Sequence, residues 1–334
     1  MKKIISILLV TAMMLTSLLL ISCNNNQPVT NEQGYKVALN LTDEWNKISN
    51  GTQLVQGCVV VRKDFAEKNP DTISKFLDEY KASIEFTNAN PAEAGKYIKE
   101  FGIFDNSDVA ATAIPSCNIA FMEGESMKSS MEAFLTAMFS VAPASIGNVI
   151  PQDDFYYFRN ENKNAETSNV RITTLNGTTG FGMAKLMSDN KNGTTSNSYT
   201  FNVATDATKI IAGLVNGSID IAALPTNAAS NVYNKTNGNV QVLSINTLGV
   251  LYTLDKTGEI NSINDLEGKT IYCPAQNPTF ILEYILKANN INATINSTEY
   301  STPAALRTAV IAGRVDIAVL PEPMVSIVMA SANQ

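Results

Sequence analysis

The chain of 334 residues contains no histidine, and this absence excludes several kinds of chemistry. Histidine is the commonest general base and the commonest metal ligand of proteins. Without it, Ser-His-Asp catalysis, Cys-His catalysis and histidine-based metal sites are impossible. The four cysteines, Cys23, Cys58, Cys117 and Cys273, are not at the close spacing of a zinc site. We therefore expect no metal and no other cofactor.

The charge and composition exclude further classes of protein. The formal net charge is −7 and no basic patch stands out, so we expect no nucleic-acid partner. Hydrophobic residues make up 45% of the chain, which suits packed cores rather than disorder. The length allows two domains of ordinary size.

The N-terminus has the pattern of a secretory signal. Lys2 and Lys3 precede an apolar run over residues 4–21, and Ser22 precedes Cys23. This order resembles a bacterial lipobox, which implies a signal peptide at 1–22, lipidation of Cys23 and a polar tether over 23–34. The alternatives are a plain signal peptide and a transmembrane helix, because a run of about 18 apolar residues borders on spanning length.

Beyond residue 169 the pattern alternates between strands and helices. Strands are predicted over 170–175 and 199–203, and helices over 181–187 and 207–215. This alternation predicts an α/β fold with parallel sheets covered by helices. A polar residue followed by proline predicts further helix starts; the pairs are Asn69-Pro70, Asn90-Pro91, Asn277-Pro278 and Thr302-Pro303.

Residues 217–225 and 313–321 form an internal repeat. Both copies contain Gly, Asp-Ile-Ala and Leu-Pro at matching positions, and both follow an apolar helix. Each copy predicts a short buried strand that ends at proline. Two such units indicate two lobes of similar design.

These segments carry a family resemblance over nearly all of the chain that follows the signal. The resembling segments are 175–180, 263–271, 56–65, Asn69-Pro70 and the two repeated strands. They resemble the bacterial ABC-importer solute-binding proteins of the nitrate, sulfonate and taurine type, which are related to the thiamine-precursor-binding group. The resemblance implies a two-lobe periplasmic-binding-protein type II fold with two crossing strands and a ligand cleft at the hinge.

The order of the segments departs from that family. The segment that resembles the family's first half lies at 169–334, and the one that resembles its second half lies at 35–158. We therefore predict a circular permutation, with residues 159–169 joining the family's usual termini; ten residues of such a linker reach roughly 33–36 Å when extended. Lobe I would comprise 57–158 with 170–253, and lobe II 254–334 with 35–56. The crossings are expected at 248–254 and 56–63. The alternative is two unrelated domains in tandem.

Ligands of open α/β sheets bind beyond the carboxyl ends of the strands. Polar residues at such positions are the candidate ligand contacts, although helix capping explains several of them equally well. On lobe I they are Thr178, Thr179, Gly180, Thr226 and Asn227, and on lobe II Gln276, Asn277, Thr279 and Glu322.

Three of the candidates have particular chemistry. Glu322 is the only charged residue at these strand ends, and a carboxylate there favours an amine over a bare anion such as nitrate. Trp45, the only tryptophan, is predicted in a loop, where it would stack on a planar ligand or pack in the core. Asn118 follows Pro115 and is expected near the cleft.

The predicted function is therefore capture of a small polar solute by hinge closure and its delivery to an ABC permease. The solute would be an amine, a pyrimidine-like molecule, a sulfonate or nitrate. We expect a monomer that is secreted across the cytoplasmic membrane and anchored there by its lipid. The alternatives are a ligand-sensing module of a signalling receptor and an enzyme on the same fold.

Overall fold

The computed structural model describes residues 34–49, 51–159 and 169–331. The predicted signal peptide, Cys23, nearly all of the tether and residues 160–168 of the predicted linker lie outside these residues. Within the described ranges, no helix is both long and apolar enough to span a membrane.

The described chain alternates between strands and helices as predicted. The strands are β1 Lys36–Asn40, β2 Gly57–Arg62, β3 Ile119–Met122, β4 Asn169–Leu175, β5 Ser198–Ala204, β6 Ile221–Pro225, β7 Val240–Thr247, β8 Leu251–Asp255, β9 Thr270–Tyr272, β10 Thr294–Asn296 and β11 Ile317–Pro321. The α-helices are α1 Leu41–Ile48, α2 Lys63–Lys68, α3 Pro70–Ala89, α4 Pro91–Glu100, α5 Ser107–Ala113, α6 Gly124–Val141, α7 Thr178–Phe181, α8 Ala184–Lys191, α9 Ala207–Asn216, α10 Thr226–Lys235, α11 Asn277–Ala288, α12 Pro303–Ile311 and α13 Met324–Ala330.

The strands form two mixed sheets. The five-stranded sheet has the order β1-β8-β11-β9-β10, and the six-stranded sheet has the order β3-β7-β2-β6-β4-β5. β1 and β11 come from opposite ends of the described chain, and both pair antiparallel with β8. These two strands therefore belong to one sheet, and the predicted two-lobe α/β architecture is confirmed.

The chain crosses between the sheets twice, once between α1 and β2 and once between β7 and β8. The two crossings touch each other, because the N–H of Val250 donates to Gln56 Oε1 at 2.6 Å. The second crossing is also crowded. A methyl group at Gly249 would overlap Thr42 Oγ1, so only glycine fits there.

Two helices differ from their predicted form because of local packing. The helix expected over 181–187 is divided into α7 and α8, and Gly182 lies at the break. A Cβ on Gly182 would lie 2.7 Å from Ile84 Cγ1, so α3 packs closely here. Asn277 is the first residue of α11 rather than its cap. Gln276 precedes it with a left-handed φ of 67°, and this residue turns the chain into the helix.

One hydrophobic cluster joins the two lobes on the side where α1, α6 and α11 meet. Trp45 of α1, Phe134 of α6 and Ile281 of α11 are fully buried in it. This packing leaves the carboxyl ends of β4, β5 and β11 free to border an open space between the lobes.

Candidate functional site

A cleft of about 500 Å³ lies between the lobes at the carboxyl ends of β4, β5 and β11. The six-stranded side contributes residues 102–105, 176–178 and Thr205. The five-stranded side contributes residues 302–304, Arg307 and 321–324. Strand ends and the opening of α12 thus converge here, which is where ligands bind in open α/β sheets.

Two of the sequence-predicted contacts, Thr178 and Glu322, line this cleft from opposite lobes. Thr178 follows Gly177, whose φ of 83° is the left-handed conformation that glycine adopts readily. Glu322 follows β11 directly. The repeated strand therefore positions the acidic residue at the cleft.

Glu322 has a buried carboxylate that accepts few hydrogen bonds from the protein. Its side chain is only 6% exposed, and Oε2 accepts the backbone N–H of Ser326 at 3.0 Å. Burial raises its pKa above the ordinary value, because the charged form loses hydration. The buried thiol of Cys117 and the ring of Tyr252 lie close enough for the carboxylate to raise their pKa values further. A cationic or N–H-bearing ligand group would relieve this desolvation.

Arg307 is the cleft residue that sequence reasoning missed. It lies on the second turn of α12, and its Nη1 is 3.9 Å from the sulfur of Met324. Its Nε is buried and has no hydrogen-bond partner, and no described carboxylate forms an ion pair with it. A lone arginine shortly after a Thr-Pro helix start was the available signal. The guanidinium is thus a free donor group beside the cleft.

Thr179 and Gly180 lie beneath the cleft rather than on its lining. The carbonyl of Thr179 accepts Asn246 Nδ2 at 3.1 Å, and this bond ties α7 to β7. A Cβ on Gly180 would lie 2.5 Å from the carbonyl oxygen of Leu175. Both residues therefore support the turn that presents Thr178.

The other predicted strand-end residues do not border the cleft that Arg307 and Glu322 share. Thr226 and Asn227 are buried at the start of α10, where the N–H of Thr226 donates to the carbonyl of Gln56 at 3.2 Å. Thr279 Oγ1 donates to the carbonyl of Pro274 at 2.9 Å, which fixes the turn before α11. Gln276 is exposed, and Asn277 has a buried, unpartnered Oδ1.

Trp45 belongs to the core and not to a loop. It is fully buried in α1, with ring centroids 4.9 Å from Tyr284 and 5.8 Å from Phe134. Its Nε1 donates to the carbonyl of Thr52 at 3.0 Å. The loop prediction is wrong because Asn40 caps a helix here, accepting the N–H of Thr42 at 2.9 Å. No face of the ring is left for a ligand.

Asn118 holds a crossing between the lobes. Its Nδ2 donates to the carbonyl of Gly249, and its own carbonyl accepts the N–H of Leu248 at 3.0 Å. Both bonds tie the six-stranded lobe to the segment that joins β7 to β8. The structure therefore places Asn118 at the hinge.

The three described cysteines are buried and free, and Cys58 and Cys273 are two of these buried thiols. Burial raises the pKa of each of these two thiols to about 12, so the thiolate is disfavoured. Among the described residues, no three Cys, Asp or Glu side chains lie close enough to hold a metal ion.

A family of sequences described as the periplasmic substrate-binding protein of a phosphonate ABC transporter matches residues 191–332. This match covers less than half of the chain and shows a similarity to that family of substrate-binding proteins. A second family, whose description is menaquinone biosynthesis, matches residues 17–135. No curated protein matches this chain.

A solved structure resembles this chain over part of its length. It is an ABC transporter from Parabacteroides distasonis with 20% sequence identity and a TM-score of 0.36. The alignment covers 50% of this chain and 56% of that chain, so this chain spans about half of the length of that relative. At this TM-score the superposition carries no argument about function.

Proposed function

We propose that this protein captures a small zwitterionic solute in the interlobe cleft and presents it to an ABC permease. The observation that carries the proposal is the pair of opposite charges beside one cleft. Arg307 is a guanidinium without an acidic partner, and Glu322 is a desolvated carboxylate. A ligand with one acidic group and one amine satisfies both residues.

The acidic group of the solute would bind Arg307. A guanidinium forms paired hydrogen bonds to carboxylate, sulfonate or phosphonate oxygens. The start of α12 lines the same cleft, and the helix dipole adds a partial positive charge there. The family description that names phosphonate agrees with an acidic group of this type.

The amine of the solute would bind Glu322. A bare nitrate or simple sulfonate would place negative charge near a buried carboxylate and leave that carboxylate without a counter-ion. Among the solutes that the sequence suggested, amines and amine-bearing sulfonates therefore fit better than nitrate. Lobe closure would then follow from contacts to both lobes, Thr178 on one side and Glu322 and Arg307 on the other.

We also propose the envelope location and chain order that the sequence suggested. Residues 1–22 would be removed as a signal peptide, and Cys23 would carry the lipid that holds the protein at the membrane. The lobes would be 57–158 with 170–253, and 254–334 with 35–56, with 159–169 as the linker of a permuted chain. The shared sheet of β1 and β11 supports this division.

We propose transport rather than catalysis or signalling. The match to a menaquinone-biosynthesis family keeps an enzyme as the second candidate. Arg307 and Glu322 are suited to recognising charge, and an enzyme would convert the bound solute, which NMR of the mixture detects. A permease gene and an ATPase gene beside this one would favour transport over a receptor-bound sensor.

Isothermal titration with three probes tests the proposed ligand class. Aminomethylphosphonate carries both charges, methylphosphonate only the acid and methylamine only the amine. We expect the zwitterion to bind most tightly, Arg307→Gln and Glu322→Gln each to weaken it at least tenfold, and Arg314→Gln, at an exposed position on the same lobe, to leave it unchanged. Equal affinity for methylphosphonate and aminomethylphosphonate would overturn the role of Glu322.

A further inference from the structure

A side pocket of about 350 Å³ lies beside the cleft, between α5 of one lobe and α13 of the other. The residues that line it are Phe104, Asp105, Asn106, Val109, Arg307, Ile327, Ala330 and Ser331. Phe104, Asp105 and Arg307 line both spaces. The side pocket therefore adjoins the cleft, and Arg307 borders both spaces.

The walls of the side pocket present apolar side chains from both lobes. Val109 of α5 and Ile327 of α13 are half-buried and belong to none of the three hydrophobic clusters of the described chain. Phe104 is held in place by an edge contact with Phe181, with ring centroids 6.2 Å apart. These side chains offer hydrophobic surface to a ligand without needing to leave a core.

We propose that the solute carries an apolar aliphatic or aromatic substituent that enters this side pocket while its charged groups remain in the cleft. The inference rests on the proposed function, because Arg307, which borders both spaces, must hold the acidic group. The polar end then faces Glu322, and the apolar end extends toward Val109 and Ile327. The ligand class is thus an amphipathic zwitterion rather than a compact one.

The substituent would also connect the lobes. Val109 and Ile327 come from different lobes, so an apolar group between them gains contact only when the lobes are closed. Each buried methylene strengthens binding about fourfold by its transfer from water. A longer substituent therefore favours the closed form as well as the bound one.

A homologous series tests the side pocket. Aminomethylphosphonate, 1-aminopropylphosphonate and 1-aminopentylphosphonate share one charged head and differ only in the alkyl tail. We expect affinity measured by titration calorimetry to rise roughly 50-fold or more from the first to the last. Val109→Trp, which fills the pocket, should abolish this rise and leave aminomethylphosphonate binding unchanged. Val215→Trp is the matched control, because Val215 is 61% exposed at the far end of α9.

Ile327→Ala provides a second variant should the tryptophan disturb folding. This substitution removes one apolar side chain of the side pocket. The increase in affinity with tail length should therefore fall several-fold, while the shortest probe binds as before. If affinity still increases with tail length in Val109→Trp, or if affinity is equal across the series in the wild type, the side-pocket inference is overturned and the proposed function stays intact. Failure of every probe to bind overturns both.

Discussion

Val250 is bonded to Glu322 across the hinge, because its carbonyl accepts the Glu322 N–H at 2.9 Å. The N–H of the same Val250 donates to Gln56 Oε1 at 2.6 Å. One residue of the second crossing therefore contacts the first crossing and the acidic residue of the cleft. Because hinges change backbone angles at such crossings, the position of Glu322 is coupled to lobe movement.

Gln56→Ala should destabilise the protein, because the N–H of Val250 loses its acceptor. Leaving a partly buried donor unsatisfied costs about 1–3 kcal/mol of unfolding free energy. Urea unfolding followed by circular dichroism measures the loss. Gln53→Ala, at an exposed position three residues earlier, should change the free energy by less than about 0.5 kcal/mol. Equal stability of the two variants would contradict the role of this bond.

Trp45→Ala should destabilise the core that joins the lobes. Removing a large aromatic side chain from a packed core costs about 3–5 kcal/mol. Because Trp45 packs on Tyr284 and Phe134 away from the cleft, aminomethylphosphonate should leave its fluorescence emission maximum unchanged in the wild type. Phe158→Ala, at a position 43% exposed, is the stability control. A ligand-dependent shift of the emission would show that the lobe contact around Trp45 moves.

The folded-state pKa of Glu322 is raised above the ordinary value of 4.5, so stability should depend on pH. A raised pKa contributes stability that is present below the unfolded pKa and is lost as the pH rises through the folded one. In the ligand-free protein, Glu322→Gln should therefore be more stable than the wild type at pH 7 and no more stable at pH 4. Urea unfolding at the two pH values measures the difference.

Ligand affinity should change with pH in the opposite direction to stability, because binding needs the charged form of Glu322. The amine of aminomethylphosphonate needs the carboxylate, so wild-type affinity should rise with pH through the raised pKa of Glu322. Glu322→Gln should bind weakly across that range. Identical pH profiles of binding for the wild type and Glu322→Gln would refute the contact between Glu322 and the amine.

Much of the fold follows from local patterns in the sequence. The repeated segments predict β6 and β11, and the proline that ends each strand positions Thr226 and Glu322. The shared sheet of β1 and β11 joins segments that are distant in the sequence, so it depends on tertiary packing. Helix α1 was not predicted, because acidic residues like those in its first turn are also common in loops. Asn40 before it is nevertheless a favourable N-cap residue.

The candidate site could be predicted only in part. Glu322 is visible in the sequence because a charge beyond a buried strand is unusual. Arg307 is not, because an arginine in a helix is ordinarily solvent-exposed and only tertiary packing brings it to the cleft. Which strand ends border the cleft also depends on lobe packing, and this is why Thr178 lines it and Thr279 does not.

The internal repeat supplies a matched pair of variants, Asp220→Asn and Asp316→Asn. Asp220 is 1% exposed, and its carboxylate accepts Arg171 Nη2 at 2.6 Å and Nε at 2.9 Å. Its copy in the repeat, Asp316, is exposed. We expect Asp220→Asn to cost about 2–3 kcal/mol of unfolding free energy, because charged hydrogen bonds between β4 and β6 are lost. Asp316→Asn should stay within about 0.5 kcal/mol of the wild type. Similar losses in urea unfolding would mean that the aspartate serves the strand itself and that the Arg171 pair adds nothing.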